Sequence, residues 1–180
     1  KAQYDRFPGY HAFFGRMSDQ TVMLSEKLVE VSPFRRGKVF YTNSGSEAND
    51  TVVKMIWYYN NVLGRPEKKK IIGRKNGYHG ITVASASLTG LPINHKDFDL
   101  PLPQMKHVTT PHFYRFGEEG ETEEQFSDRL AQEIEDMILA EGPETVAAFI
   151  GEPVIGAGGV LVPPKGYWDK VQKVLKKYDI

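Results

Sequence analysis

Apolar and polar positions along the chain switch period several times, and each switch marks an element. In "SDQTVMLSEKLVEVSP", Leu24, Leu28 and Val31 recur at i, i+4 and i+7, which predicts a helix with one apolar face. Ser18 or Asp19 can cap it and Pro33 stops it. "GKVFYT" (37–42) is short, β-branched and aromatic, and predicts a strand. A second helix runs from about Ser46 to Leu63, with Ala48, Val52, Met55, Ile56, Tyr59 and Leu63 on one face, and Gly64 and Pro66 end it. "KKIIGRK" predicts a strand, "NGYHG" a loop, and "ITVASASL" a short helix, because Ala and Ser are poor strand formers. Residues 89–121 are expected to form a long loop around one short strand near "KHVTT". In "TEEQFSDRLAQEIEDMILAEG", Thr122 and Gln125 form a capping box, and Phe126, Leu130, Ile134, Met137 and Ile138 line the buried face. "TVAAFIGEP" is an almost continuous apolar run, expected to be a strand buried on both sides. A glycine-rich loop, "VIGAGGVLVPPKG", and a closing helix, "YWDKVQKVLKKY", complete the chain.

Strand and helix alternate four times. That order predicts an α/β fold, three layers with helices on both faces of a mainly parallel sheet. Ligands of such sheets bind outside the carboxyl ends of the strands, so the strand-to-helix joints hold the candidate chemistry. At Ser44-Gly45-Ser46 a helix start offers unpaired N–H groups and a partial positive charge, both of which favour an anion such as phosphate. A plain serine cap is the alternative. The P-loop spacing and its lysine are absent. At "NGYHG", Tyr78 can present its ring to a flat ligand or sit half-buried in a turn. His79 is expected to pack or stack rather than ligate a metal, since the five histidines have no ligand-like spacing. Glu152 follows a buried strand and either faces the ligand crevice or serves as a surface or capping acid. Together the three joints suit a flat, phosphorylated aromatic cofactor.

Composition changes this picture little. The 180 residues are 40% hydrophobic, enough for one domain with a sizeable core. Lys and Arg total 23, as do Asp and Glu, so no basic stripe of a nucleic-acid binder stands out. The run Lys68-Lys69-Lys70 is expected to be a solvated turn. There is no cysteine, which excludes disulfides and favours a reducing compartment. No apolar run reaches the ~18 residues of a membrane-spanning helix. No signal-peptide core opens the chain, so a soluble cytoplasmic protein without membrane or nucleic-acid partners is expected.

"TNSGSEAND", "NGYHG" and "EPVIGAGGVLVPPKGY" resemble the class III aminotransferases, pyridoxal-5′-phosphate enzymes of fold type I. "FPGYHAFFGRMSDQTVMLSEKLVEVSPF" and "EEGETEEQF" look more narrowly like the ω-transaminases that use pyruvate as amino acceptor. The resemblance implies pyridoxal 5′-phosphate as cofactor, with Gly45 and Ser46, beside Ser44, in its phosphate cup. It places Tyr78 on the pyridine ring, followed by His79, and Glu152 near the ring supporting the aspartate bound to the pyridine nitrogen. Phe13 and Phe14 match aromatics that shape the partner subunit's substrate pocket. The family's Schiff-base lysine and that aspartate are expected downstream of residue 180, so the chain holds no catalytic residue of its own. Lys165, Lys170, Lys173, Lys176 and Lys177 are not substitutes for the lysine. Residues 1–180 then form part of the cofactor-binding large domain, with the N-terminal segment, the rest of the large domain and the C-terminal small domain missing. The complete protein is expected to transfer an amino group from an amine or ω-amino acid to a keto acid, as a homodimer or tetramer of dimers. A non-catalytic cofactor-binding relative and another fold type I enzyme, such as an aminomutase, are the alternatives.

Overall fold

A computed structural model describes residues 1–7, 9, 15–34 and 36–180. Phe13 and Phe14 lie outside the described residues. The chain divides into two compact units, 1–41 and 42–180.

The first unit holds α1 (Ala2–Arg6) and α2 (Asp19–Val31). Ser18 caps α2 by accepting the Thr21 N–H at 3.3 Å, and Arg6 pairs with Asp19 at 2.8 Å. Contrary to expectation, residues 37–42 form no strand. Propensity supplied the right residue types, but a strand needs a neighbour. None of the described strands pairs with this segment, and Phe40 is exposed.

In the second unit, α3 (Gly45–Val62) leads to β1 (Lys70–Arg74), α4 (Val83–Leu88), β2 (Met105–Val108), α5 (Phe113–Phe116), α6 (Glu123–Glu141), β3 (Val146–Phe149) and α7 (Tyr167–Lys177). The sheet is parallel, in the order β2-β1-β3. Ile71 pairs with Met105 and Arg74 with Val108 on one side, and Ile72 pairs with Phe149 on the other.

Successive side chains of β1 point to opposite faces, and each face has its own core. Ile71 packs with Val53 of α3, Leu88 of α4 and Met105. Ile72 packs with Val108, Phe126, Leu130, Ile134 and Ile138 of α6, and Tyr167 and Val171 of α7. This is the expected three-layer α/β arrangement. The capping box of α6 is present: the Gln125 N–H donates to Thr122 Oγ1 at 3.2 Å, and the Thr122 N–H to Gln125 Oε1 at 2.8 Å.

Three local expectations fail. The face of α3 turned to the sheet carries Val53, Ile56, Trp57 and Asn60, while Val52, Met55, Tyr59 and Leu63 are exposed. Apolar residues surround this helix, so periodicity alone did not choose the stripe. β3 is only half-buried beyond Val146, because it is a sheet edge among the described strands. The Lys68–Lys70 run is not a solvated turn. Lys68 is buried and donates to the Tyr178 and Asp179 carbonyls, Lys69 donates to the Trp57 carbonyl and Asn61, and Lys70 pairs with Glu141 at 2.8 Å. Three long side chains thus tie the start of the sheet to three helix ends.

After β1 the chain leaves toward the α3–α4 face, and after β3 it leaves toward the α6–α7 face. The carboxyl ends of β1 and β3, adjacent in the sheet, are therefore a topological switch point, where ligands of such sheets bind.

Candidate cofactor site

The site begins at the first turn of α3. Ser44 is the N-cap, and its Oγ accepts the Glu47 N–H at 3.2 Å. Glu47 reaches back so that its Oε2 accepts the Asn43 N–H at 2.8 Å. Helix geometry leaves the Gly45 and Ser46 N–H groups with no acceptor within the helix. A Cβ placed on Gly45 would meet nothing within 4 Å, so open space lies beside these donors. Both readings of Ser44 thus hold together: it caps the helix, and the cap leaves a turn of free N–H groups with the positive end of the helix dipole behind them.

One polar row on α3 fastens the loop that follows β1. Ser46, Asn49 and Asp50 lie at i, i+3 and i+4, on one side of the helix. Ser46 Oγ accepts the Ile81 N–H at 3.0 Å. Asn49 Nδ2 donates to the His79 carbonyl at 2.6 Å. Asp50 Oδ1 accepts from Thr82 Oγ1 at 2.7 Å and from the Ser85 N–H at 3.0 Å, which also anchors the start of α4. Gly80 permits this close seam. Its φ is +132°, and a Cβ there would lie 2.6 Å from Ser46 Oγ. Ser46 Oγ, used as an acceptor by the loop, keeps its own proton to donate to an anion.

The loop presents Tyr78 half-exposed, next to buried His79. Burial is the main cause that pushes the His79 imidazole down to about 4; the Glu152 charge opposes the shift and Arg74 adds to it. Its Nε2 is buried and has no hydrogen-bond partner among the described residues. His79 is therefore a neutral packing group next to Tyr78 in the chain, as its sequence context suggested. Glu152, after β3, spans two loops: Oε1 accepts the Tyr78 N–H at 2.9 Å and Oε2 accepts the Gly156 N–H at 2.7 Å. Its carboxylate lies at the switch point but serves backbone donors, so in this chain it acts as a staple between the β1 and β3 loops. Gly158 lets the second loop close down, since a Cβ there would fall on the Asn76 carbonyl oxygen.

Ser44, Gly45, Ser46, Tyr78, His79 and Glu152, the candidates of the sequence, are brought together by the fold through the Ser46–Ile81 and Glu152–Tyr78 contacts. Sequence reading missed Asn49 and Asp50, although their spacing from Ser46 carried the signal. It also missed Arg74, which reads in the sequence as an ordinary strand end. Among the described residues no group of three or more His, Asp or Glu could hold a metal ion, and no helix is long and apolar enough to cross a membrane.

A parallel α/β sheet whose switch point carries a helix N-terminus, an aromatic ring and a stapling carboxylate defines a domain that can hold a phosphorylated aromatic ligand. The profile of the class III aminotransferases matches residues 9–180, and the chain belongs to that family, whose members depend on pyridoxal phosphate. It is 56% identical over 179 residues to the mitochondrial γ-aminobutyrate transaminase 1 of Solanum lycopersicum, covering 99% of this chain and 35% of the relative. The chloroplastic γ-aminobutyrate transaminase 3 of the same plant is also 56% identical, with 99% of this chain and 34% of the relative covered. Among solved structures, the ω-transaminase of Pseudomonas jessenii in complex with PMP superposes with a TM-score of 0.95 at 64% identity, covering 99% of this chain and 40% of that one. The PMP-bound aminotransferase of Vibrio fluvialis gives 0.94 at 64% identity, with 99% and 39% covered. The chain thus spans little more than a third of the length of these relatives. The expectation of a cytoplasmic protein is overturned, since these plant relatives are mitochondrial or chloroplastic. It had rested on the lack of a leader, and a chain that begins at Lys1 carries no information on that point.

Proposed function

We propose that the full-length protein is a pyridoxal-phosphate-dependent transaminase. It moves an amino group from an amine or ω-amino acid, γ-aminobutyrate among the candidates, to pyruvate or a similar keto acid. It works as a homodimer or a tetramer of dimers. The observation that carries this reading is the open first turn of α3, with two N–H groups lacking helical acceptors, a serine proton available to donate, and Tyr78 fixed beside it through Ile81 and Gly80.

The residues fit the group. The Gly45 and Ser46 N–H groups, the Ser46 hydroxyl and the helix dipole would hold the phosphate, and the exposed ring of Tyr78 would lie against the flat heterocycle. When bound, the cofactor supplies an electron sink for the bond broken at the amine carbon. This chain's own residues bind and orient. Asn49 and Asp50 hold the loop to α3, Glu152 holds it to the loop after β3, and His79 keeps a neutral group next to Tyr78 in the chain. No lysine of the C-terminal segment is assigned to proton transfer. Lys165, Lys170 and Lys177 pair with Glu124, Asp128 and Glu135 of α6. The 180 residues alone are therefore expected to turn over no amine.

The test is the visible absorption of the full-length protein with pyridoxal phosphate, read before and after adding γ-aminobutyrate or another simple amine. Pyruvate is added next, and the carbonyl product is assayed. A visible band that bleaches with amine and returns with pyruvate is expected. A protein that stays colourless in excess cofactor rejects the reading.

A further inference from the structure

Arg74, the last residue of β1, is the largest fully buried side chain among the described residues. Its guanidinium carbon lies 5.0 Å from the ring centroid of Trp168 and 5.9 Å from that of Tyr167. Gly151 leaves room for it: a Cβ there would stand 3.1 Å from Arg74 Nε and 2.9 Å from the Trp168 ring. One arm, Nη2, donates to the Glu152 carbonyl, while Nε and Nη1 have no acceptor among the described residues. A buried cation in this state is costly, and an apolar side chain of similar volume would fill the space beside the two rings at lower cost. Packing alone therefore does not account for an arginine here.

The hydrogen bonds point to another role. Arg74 grips the main chain of Glu152 by a charge-assisted bond, of the stronger kind. The Glu152 carboxylate returns to the Tyr78 N–H at 2.9 Å and also takes the Gly156 N–H at 2.7 Å. The Arg74 carbonyl accepts the Gly77 N–H at 3.0 Å, one residue before Tyr78. Side chain and main chain of Arg74 thus close a ring of contacts, Arg74 to Glu152 to Tyr78 to Gly77 and back, across the mouth of the switch point. We propose that Arg74 is a positioning residue that sets the Tyr78 loop by acting through Glu152. That Tyr78 faces the cofactor rests on the function proposed above. That Arg74 holds it does not.

The test is amide hydrogen exchange at single-residue resolution on the full-length protein without cofactor. It compares Arg74→Met, Arg74→Lys, Glu152→Gln and the Arg74→Met/Glu152→Gln double variant. Loss of the charge-assisted bond is expected to raise exchange at the Tyr78 and Gly156 amides by ~10-fold or more in Arg74→Met, with α6 amides left within about 2-fold of wild type. Arg74→Lys should recover part of that protection. The double variant should exchange at Tyr78 like Glu152→Gln alone, because both changes cut one path. A uniform rise across the domain, wild-type protection at Tyr78 and Gly156, or a double variant equal to the sum of the singles would overturn the proposal. If Arg74→Met does not fold, Arg74→Lys, Glu152→Gln and their double variant decide by the same additivity. Exchange is read without cofactor, so this test can succeed where the absorption experiment fails, and the reverse.

Discussion

The two ends of the parallel sheet are built on opposite electrostatic plans. At the amino end, Glu141 closes α6 and takes Lys70 at 2.8 Å and Lys106 at 2.9 Å, one from each of two adjacent strands. Lys68 and Lys69 fill backbone carbonyls nearby. At the carboxyl end, Arg74 and His79 are buried with guanidinium or ring nitrogens that find no hydrogen-bond partner among the described residues, and the first turn of α3 faces open space. Matched charges at one end hold the layers together. Unmatched donors at the other end cost stability and leave binding capacity, which is the usual trade at a functional edge.

The largest effect on that contrast comes from closing the carboxyl-end seam by force. Gly80→Val would put a branched side chain at φ +132°, against Ser46 Oγ and Ser85 Oγ. Strain and overpacking together should cost ~3 kcal/mol of stability in chemical denaturation of the full-length protein. The loop should also lose its register on α3, so cofactor affinity should fall along with stability. A variant with wild-type stability would break the claim that α3 and the Tyr78 loop are held as one body.

Next in size is Ser46→Ala. It removes the acceptor of the Ile81 N–H and the proton offered to an anion. A hydrogen bond to a charged group contributes ~1.5–3 kcal/mol, so affinity for pyridoxal phosphate should drop by at least ~10-fold by titration. Affinity for pyridoxal, which lacks the phosphate, should change less. An equal change for both ligands would mean that Ser46 serves only the loop.

How far the sequence carried this contrast depends on how local each signal was. The capping box at Thr122 and the apolar stripe of α6 are written within a few turns of one helix, and both are present. The joints at Ser44–Ser46, Tyr78 and Glu152 could be singled out from local signals, a helix start in the first case and the residues just after β1 and β3 in the others, even though no described strand precedes Ser44. The pairings across the fold were not legible. Arg74 meets Glu152 78 residues away, and Glu141 reaches Lys70, read from the sequence as part of a solvated run, and Lys106 of the next strand. The α3 face was misread for a related reason. With apolar residues on most sides, the stripe is chosen by the sheet it meets, at Ile71, and not by the helix itself. The 37–42 segment shows the same limit, since strand-like residues become a strand only beside another strand.

At the amino end the expected effect is smaller and of a different kind. The hydrogen bonds from Lys70 and then Lys106 hold the Glu141 carboxyl below its ordinary value. Its contribution is therefore fully present above the ordinary carboxylate range and is lost as pH falls through the lowered folded value. Glu141→Gln should cost ~1 kcal/mol at neutral pH, as partly exposed pairs do, and should leave cofactor affinity unchanged. The loss should shrink in acid as the wild-type carboxyl protonates. A change in cofactor affinity would show that the two ends are coupled after all.

The last effect is a slope and not a level. His79 is held down to about 4 from 6.5, chiefly by burial. Between those values the unfolded chain binds a proton that the folded chain refuses, so stability falls as pH drops from about 6.5 toward about 4. This is the reverse of a histidine that gains a partner on folding. His79→Gln removes the titrating group while keeping a polar side chain, so the plot of unfolding free energy against pH should become flatter in that window, with little change in slope above pH 7. If the variant and the wild type run parallel through the window, the imidazole is not a neutral buried group. The space around His79 would then admit a cation, and the unmatched donors at the carboxyl end would have a different electrostatic origin.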